Sequence, residues 1–278
     1  MSEHNSEVEF NRRFEFGVNW ARFLSLLNDT RIRLAEDSLR HMLEMEDLQG
    51  KTFLDVGSGS GLFSLAARRL GARVRSFDYD PQSVACTAEL KRRYFPGDSD
   101  WIVEEGSVLD TGYLERLGSF DVVYSWGVLH HTGAMWRALE NVAPRVVNGG
   151  KLFISIYNDQ GLSSRLWLRI KRTYNALPGS LRWLVLLPAF VRLWGPMSVR
   201  DVLRGRPLQT WRQYGREGAR GMSPWCDVVD WVGGLPFEVA QPAQIFDFYR
   251  ARGFRLERIT TCGGNLGCNE FVFAKQGL

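Results

Sequence analysis

Gly57, Gly59 and Gly61 stand at alternate positions between a mostly apolar run, Phe53 to Val56, and a helical pattern that begins at Leu62. Glycine adopts the left-handed backbone of a tight turn and lets peptide N–H groups approach a ligand where a Cβ would collide. A dinucleotide fingerprint read from Gly57 would need Gly or Ala at position 62, and one read from Gly59 would need it at 64; these are Leu62 and Ser64. No Gly-Lys-Ser/Thr follows, which excludes a Walker loop, so the register points to another nucleotide-like ligand. About 20 residues after Gly57, the segment FDYD places Asp78 where a carboxylate can accept the hydroxyl protons of an unphosphorylated ribose. Further on, FDVVYSWGVLHH passes Ser125 and Trp126 and reaches His130 and His131, a residue type whose ordinary pKa of about 6.5 suits proton transfer.

The elements that would position these groups follow from periodicity. Strand patterns at Thr52–Val56, Arg73–Phe77, Trp101–Glu105, Phe120–Ser125 and Lys151–Ile156 alternate with helical patterns at Leu62–Leu70, Pro81–Tyr94 and Ala134–Val147. Such alternation predicts an α/β fold with a doubly wound parallel sheet. A helix at Pro242–Arg252 precedes strands at Arg255–Thr260 and Glu270–Ala274, whose short link predicts an antiparallel last strand. Phe10–Leu48 reads as helices with a break near Asn28 and Asp29. The expected division is an N-terminal helical segment over 1–50, a core over 51–156, a cap over 157–240, and a C-terminal helix and strands over 241–278. The cap is far longer than an ordinary connection, and it leaves the carboxyl end of a strand, where ligands of such sheets sit.

Composition is that of a globular chain, 45% hydrophobic and 24% charged. The formal charge of +4 is unevenly placed: residues 160–220 hold eleven Arg and one Lys against Asp201 and Glu217. Met1–Glu9 lacks the basic and apolar regions of a signal peptide, and Trp183–Val191, interrupted by Pro188, is too short to cross a bilayer. A cytoplasmic protein is expected, with peripheral membrane contact through residues 160–220 open to it. Cys86, Cys226, Cys262 and Cys268 form no C-x-x-C pair and read as reduced thiols.

Through LDVGSGSG, FDYD, EEGSVLD, FDVVYSWGVLHH and the late GGKLFIS, the chain resembles the class I S-adenosylmethionine (SAM) dependent methyltransferases, in the broad group that includes the polyprenyl-hydroxyphenol methylases. The likeness spans Lys51 to Tyr157 and the C-terminal strands. It implies a Rossmann-like seven-stranded sheet, SAM as cofactor, S-adenosylhomocysteine (SAH) as product, and no metal. By this similarity Asp55, Gly57, Ser58, Gly59 and Gly61 hold the amino acid part of SAM, and Asp78 its ribose. Tyr79 lies on the adenine, Ser107 and Val108 border its edge, and Ser125 with Trp126 closes the pocket by the methyl group.

Methyl transfer to a hydroxyl requires positioning of the acceptor and removal of its proton. His130, His131 and Asp159 are the candidate catalytic residues, with His130 ahead of His131; packing or hydrogen bonding is the alternative for the histidines. Tyr157 and Asn158 leave the fifth strand toward an acceptor, although with Asp159 they equally suit a capped turn. Trp225 and Trp231 are candidate substrate contacts or lid packing. LRWLVLLPAFVRLW, Leu181–Trp194, suits either a lipid-facing surface, with Pro188 breaking a continuous helix, or a buried helix pair with solvated arginines. The expected reaction is O-methylation of a small or lipid-linked acceptor. An RNA methyltransferase and a lapsed SAM-binding scaffold are the alternatives; the lack of a [DNS]-P-P-[YFW] motif, a Pro-Cys nucleophile and an RNA-binding module argues against nucleic acid.

Overall fold

The computed structural model describes residues 13–14, 16–17, 20, 24–25, 27–214 and 224–277, apart from the Cys226 side chain. Most of the N-terminal helical pattern before Asp29 therefore lies outside the described residues.

Seven strands form one sheet: β1 (Thr52–Val56), β2 (Arg73–Asp78), β3 (Trp101–Glu105), β4 (Phe120–Trp126), β5 (Val146–Tyr157), β6 (Phe254–Thr260) and β7 (Cys268–Lys275), in the order β3-β2-β1-β4-β5-β7-β6. The first five pair in parallel. β7 runs antiparallel to both neighbours, as the short link from β6 requires. Strand order reverses at β1, which lies between β2 and β4; the crevice at that reversal is where doubly wound sheets take ligands.

Side chains alternate across the sheet. Phe53, Tyr124 and Phe153 pack beneath α1 (Asp29–Leu43), α2 (Leu62–Arg69) and α3 (Pro81–Tyr94). Leu54, Val123, Leu152 and Ile154 face the other way, toward α4 (Thr111–Leu117), α5 (Met135–Val142) and α10 (Pro242–Arg250). Asn28, Asp80 and Asp110 start α1, α3 and α4 by accepting hydrogen bonds from the N–H groups of Arg31, Gln82 and Tyr113. The helix expected to reach Val147 ends at Val142, and a 3-10 turn over Ala143–Arg145, containing Pro144, feeds directly into β5.

Between β5 and α10 lie α6 (Leu162–Ala176), α7 (Trp183–Leu203), α8 (Gln209–Gln213) and α9 (Pro224–Gly233). Trp167, Tyr174, Ala189, Trp194, Val228 and Val232 form a separate apolar cluster with Phe14. The expected break at Pro188 does not occur: α7 runs for 21 residues through Pro188 and Pro196. Each proline removes one helix hydrogen bond, and burial of Ala189 and Trp194 against α6 and α9 offsets that loss. The opposite side of α7 is not buried, since Trp183, Leu184, Leu187, Val191, Val199, Val202 and Leu203 are exposed. No described helix is long and apolar enough to cross a membrane.

Candidate active site

A cavity of about 770 Å³ opens at the carboxyl ends of the parallel strands. Its floor is the glycine turn after β1. Gly57 and Gly59 adopt φ of 80° and 54°, and a Cβ on Gly57 would lie 2.4 Å from a Val128 methyl carbon. The N–H groups of Gly57 and Ser58 both donate to the Phe77 carbonyl, at 2.9 and 3.1 Å, which fastens the turn to β2. Asp78 then grips the turn from the strand end: its Oδ2 accepts from Gly59 N at 2.8 Å and its Oδ1 from Asp80 N at 2.9 Å. Asp55 is buried and accepts from Ser64 Oγ at 2.5 Å; Ser64 Oγ lies 2.7 Å from Ser76 Oγ. Tyr79 lines the wall with Arg13 4.9 Å over its ring, beside Ser107 and Val108 from the loop after β3. Trp126 Nε1 donates to Glu270 Oε1 at 2.6 Å, linking β4 to β7 across the mouth.

This geometry fits a nucleoside carrying an amino acid. Asp78 provides carboxylate oxygens at the cavity wall that suit ribose hydroxyls, since a carboxylate offers about four acceptor positions. The turn presents backbone in a space that a Cβ would fill, and Tyr79 offers a ring face near the Ser107–Val108 edge.

The cap and β5 build the other end. His131, Tyr157, Tyr214, Asp227, Asp230 and Trp231 line it. His131 Nδ1 lies 2.5 Å from the Pro236 carbonyl, so Nδ1 carries the proton and Nε2 the lone pair. Burial, then the nearby Lys171 ammonium, pushes this imidazole down to about 3. The Tyr157 ring packs 5.3 Å from that of His131 and 5.1 Å from that of Trp231. Burial, with Cys268 and Asp230 nearby, holds its phenol well above the ordinary value, so it stays protonated. Lys171 of α6 donates to the Trp231 carbonyl, and Asn175, one turn on, donates to the Gly233 carbonyl at 2.7 Å. Together they fix the end of α9 and hence Trp231. Burial lowers the Lys171 ammonium to about 7 against the opposing pull of Asp230.

Of the residues singled out in the sequence, Asp55, Gly57, Ser58, Gly59, Asp78, Tyr79, Ser107, Val108, Trp126, His131, Tyr157 and Trp231 line this one cavity. The others do not. His130 is fully buried, and burial, then His131 and Lys171, keeps it well below its ordinary pKa. Both histidines sit in a 3-10 turn, Leu129–His131, with ring centroids 4.5 Å apart and both rings against Tyr157, and of the two His131 lines the cavity. Asp159 closes a turn, its Oδ1 accepting from Gly161 N at 2.8 Å before α6. Asn158 Oδ1 accepts from Asn269 Nδ2 at 3.1 Å and ties the segment after β5 to β7. Ser125 Oγ donates to the Val56 carbonyl at 2.9 Å beneath the turn, and Gly61, at φ 79°, begins α2. Trp225 is exposed, its ring 6.0 Å from that of Phe190.

Other wall residues went unrecognised in the sequence: Arg13, Phe16 and Trp20 from the N-terminal segment, Asp80 from FDYD, and Tyr214, Asp227 and Asp230 from the cap. Only Asp80 carries a local signal, as an Asp immediately before Pro81 at a helix start. Among the described residues Cys86 and Cys262 are free thiols; burial, with Asp80 and Asp78 nearby, raises Cys86 to about 11, which keeps it unreactive.

Comparison with known proteins bears on the family and the fold. The family described as methyltransferase domain matches residues 54–154. A ubiquinone biosynthesis O-methyltransferase of Xanthomonas oryzae pv. oryzae is 38% identical over 112 residues, covering 40% of this chain and 45% of that protein. A tRNA U34 carboxymethyltransferase of Enterobacter sp. is 33% identical over 118 residues, 41% of this chain and 35% of that protein. The chain thus spans less than half the length of these curated relatives. The crystal structure of magnesium protoporphyrin IX methyltransferase from Synechocystis PCC 6803 with bound SAH superposes with a TM-score of 0.54 at 14% identity, covering 93% of each chain, a likeness of fold. Sheet order, glycine turn and family match together show that the chain carries a class I SAM-dependent methyltransferase domain.

Proposed function

We propose that this protein transfers the methyl group of SAM to the hydroxyl oxygen of a small or lipid-linked acceptor. The observation that carries the reading is one continuous cavity with the glycine turn and Asp78 at one end and His131, Tyr157 and Trp231 at the other. The ubiquinone biosynthesis relative, an O-methyltransferase, supports a hydroxyl acceptor.

SAM, when bound, supplies an electrophilic methyl group and leaves as SAH. Asp55 and the Gly57–Gly59 turn would hold its amino acid part, Asp78 the ribose, and Tyr79, Ser107 and Val108 the adenine. Tyr157 and Trp231 then orient the acceptor by ring contact, while His131 Nε2 accepts a hydrogen bond from its hydroxyl. With SAM held there, the acceptor oxygen would take the methyl group from sulfur, the sulfur keeping the bonding electrons as SAH leaves. The hydroxyl proton becomes strongly acidic as the ether forms, so even a weakly basic imidazole takes it late in the step. Neutral His131 is ready for this across the physiological range. Phe16, whose ring lies 5.0 Å from that of His131, helps keep water from this end.

Tritium transfer from labelled SAM into the organic and aqueous fractions of a cell extract, with a nuclease-treated control, tests the reading. Label is expected in the organic phase, or in nuclease-resistant form in water. Nuclease-sensitive label would replace this reading with RNA methylation, which the basic cap and the tRNA carboxymethyltransferase relative favour. Organic label would also give the exposed apolar side of α7 a role at the membrane surface.

A further inference from the structure

A second concavity lies in the cap. Arg200 and Arg204, four residues apart in sequence, and Arg206 line a cleft of about 550 Å³ together with Asp201, Gln209, Thr210, Gln213 and Tyr214. Three guanidiniums thus meet one carboxylate. Asp201 is already engaged: its Oδ2 accepts from Thr210 N at 2.7 Å and its Oδ1 from Thr210 Oγ1 at 2.8 Å. Arg200 Nη2 donates to Thr210 Oγ1 at 3.3 Å, whereas the Arg204 and Arg206 side chains make no hydrogen bond or ion pair among the described residues.

Arginine near the end of a helix offsets the partial negative charge of the last carbonyls, which accounts for Arg200 and in part for Arg204. It does not account for Arg206 beyond α7, or for gathering three cations around an open cleft. A planar guanidinium is matched to the paired oxygens of a phosphate group. The neighbouring surface is apolar, since Val199, Val202, Leu203 and Leu208 are exposed, Leu203 by 82%. Tyr214 lines both this cleft and the larger cavity, and its hydroxyl donates to Asp227 Oδ2 at 2.7 Å. The cleft therefore adjoins the acceptor end of the site.

We propose that the Arg200, Arg204 and Arg206 cleft is a phosphate-ester subsite, occupied by a phosphate group on a molecule with an apolar remainder. Its part in acceptor recognition rests on the methyl-transfer reading; its binding of phosphate does not. Two sources share this chemistry, a phosphorylated acceptor and the head group of a membrane lipid.

The test uses the full chain and reads binding alone. Titration with inorganic pyrophosphate is expected to give saturable binding that weakens at least about tenfold in Arg204→Ala/Arg206→Ala. SAM affinity, measured separately, should be unchanged in that variant, which also shows that it folds. Arg165→Ala/Arg169→Ala, at exposed arginines of α6 outside the cleft, should bind pyrophosphate as the parent does. Sedimentation with phosphatidylglycerol vesicles, against phosphatidylcholine vesicles, separates the sources. Vesicle binding displaced by pyrophosphate identifies the lipid head group, and pyrophosphate binding without vesicle binding identifies the acceptor. No saturable pyrophosphate binding, or equal weakening in the α6 variant, overturns the subsite.

Discussion

Asp78 holds the Gly59 and Asp80 N–H groups, so its charge organises the turn, and in the proposed reading the same carboxylate would meet the ribose of the cofactor. Asp78→Ala is expected to weaken SAM binding by about 1–3 kcal/mol through lost charged hydrogen bonds; an unchanged affinity by calorimetry would remove the ribose assignment. The histidine pair separates by geometry. His131 lines the cavity with its Nδ1 held at the Pro236 carbonyl, whereas His130 is enclosed and does not line it. His131→Ala should lower kcat about 100-fold with SAM affinity retained. His130→Ala should show its effect chiefly as a lowered urea midpoint, from the volume it empties. The opposite pattern would return the base to His130. Because the His131 imidazole is pushed down to about 3, the rate should have no acid limb from it between pH ~5 and ~8. A limb near its ordinary value, abolished by His131→Ala, would contradict that state.

The turn after β1 depends on conformation as much as on side chains. Gly57→Ala would put a Cβ at φ 80° and against Val128. The left-handed backbone alone costs about 1–2 kcal/mol, so both the urea midpoint and SAM affinity should fall. If neither moves, the cradle is more compliant than its geometry implies. Elements of this kind were legible because strand, turn and helix are contiguous: Thr52–Val56, the glycines and Asp78 declare themselves through period and spacing. The choice between His130 and His131 was not, since it turns on which of two adjacent buried rings the surrounding packing leaves at the cavity wall. Nor could spacing bring Arg13, Phe16 and Trp20 to the cavity, or Tyr214 and Asp227, because tertiary packing alone places them there. Pro188 misled for a related reason: a proline's local penalty is knowable from sequence, whereas the packing of Trp194 and Ala189 that offsets it is not. Asp159 shows the reverse, a turn chemistry that was readable and that the structure displays, whereas the Asn158 side chain reaches across to Asn269.

At the scale of the whole molecule, the joint between cap and sheet is made from groups that prefer to be uncharged. His131, whose ordinary pKa is 6.5, is held at about 3, and Lys171, ordinarily 10.5, at about 7. Across each of those windows the unfolded chain binds the extra proton, so stability rises with pH from 3 to 6.5 through His131 and from 7 to 10.5 through Lys171. Asp230 opposes the shift of Lys171, while the burial that causes it is shared with Tyr157. Tyr157 acts in the other direction above its ordinary value of 10.0, because there the unfolded phenol ionises and the buried one does not. Between pH 7 and 9 Lys171 sets the slope, and above 9 the buried Cys86 thiol, held up at about 11, opposes it. The urea midpoint should therefore climb from pH ~7 to ~9 in the parent chain. In Lys171→Met the climb should flatten, even though the variant forfeits the bond to the Trp231 carbonyl and starts from a different absolute stability. A parent profile that is level or falling over this range, or one that Lys171→Met leaves equally steep, would mean that the ammonium keeps its charge in the folded joint and that Asp230 compensates it more fully than the burial penalises it.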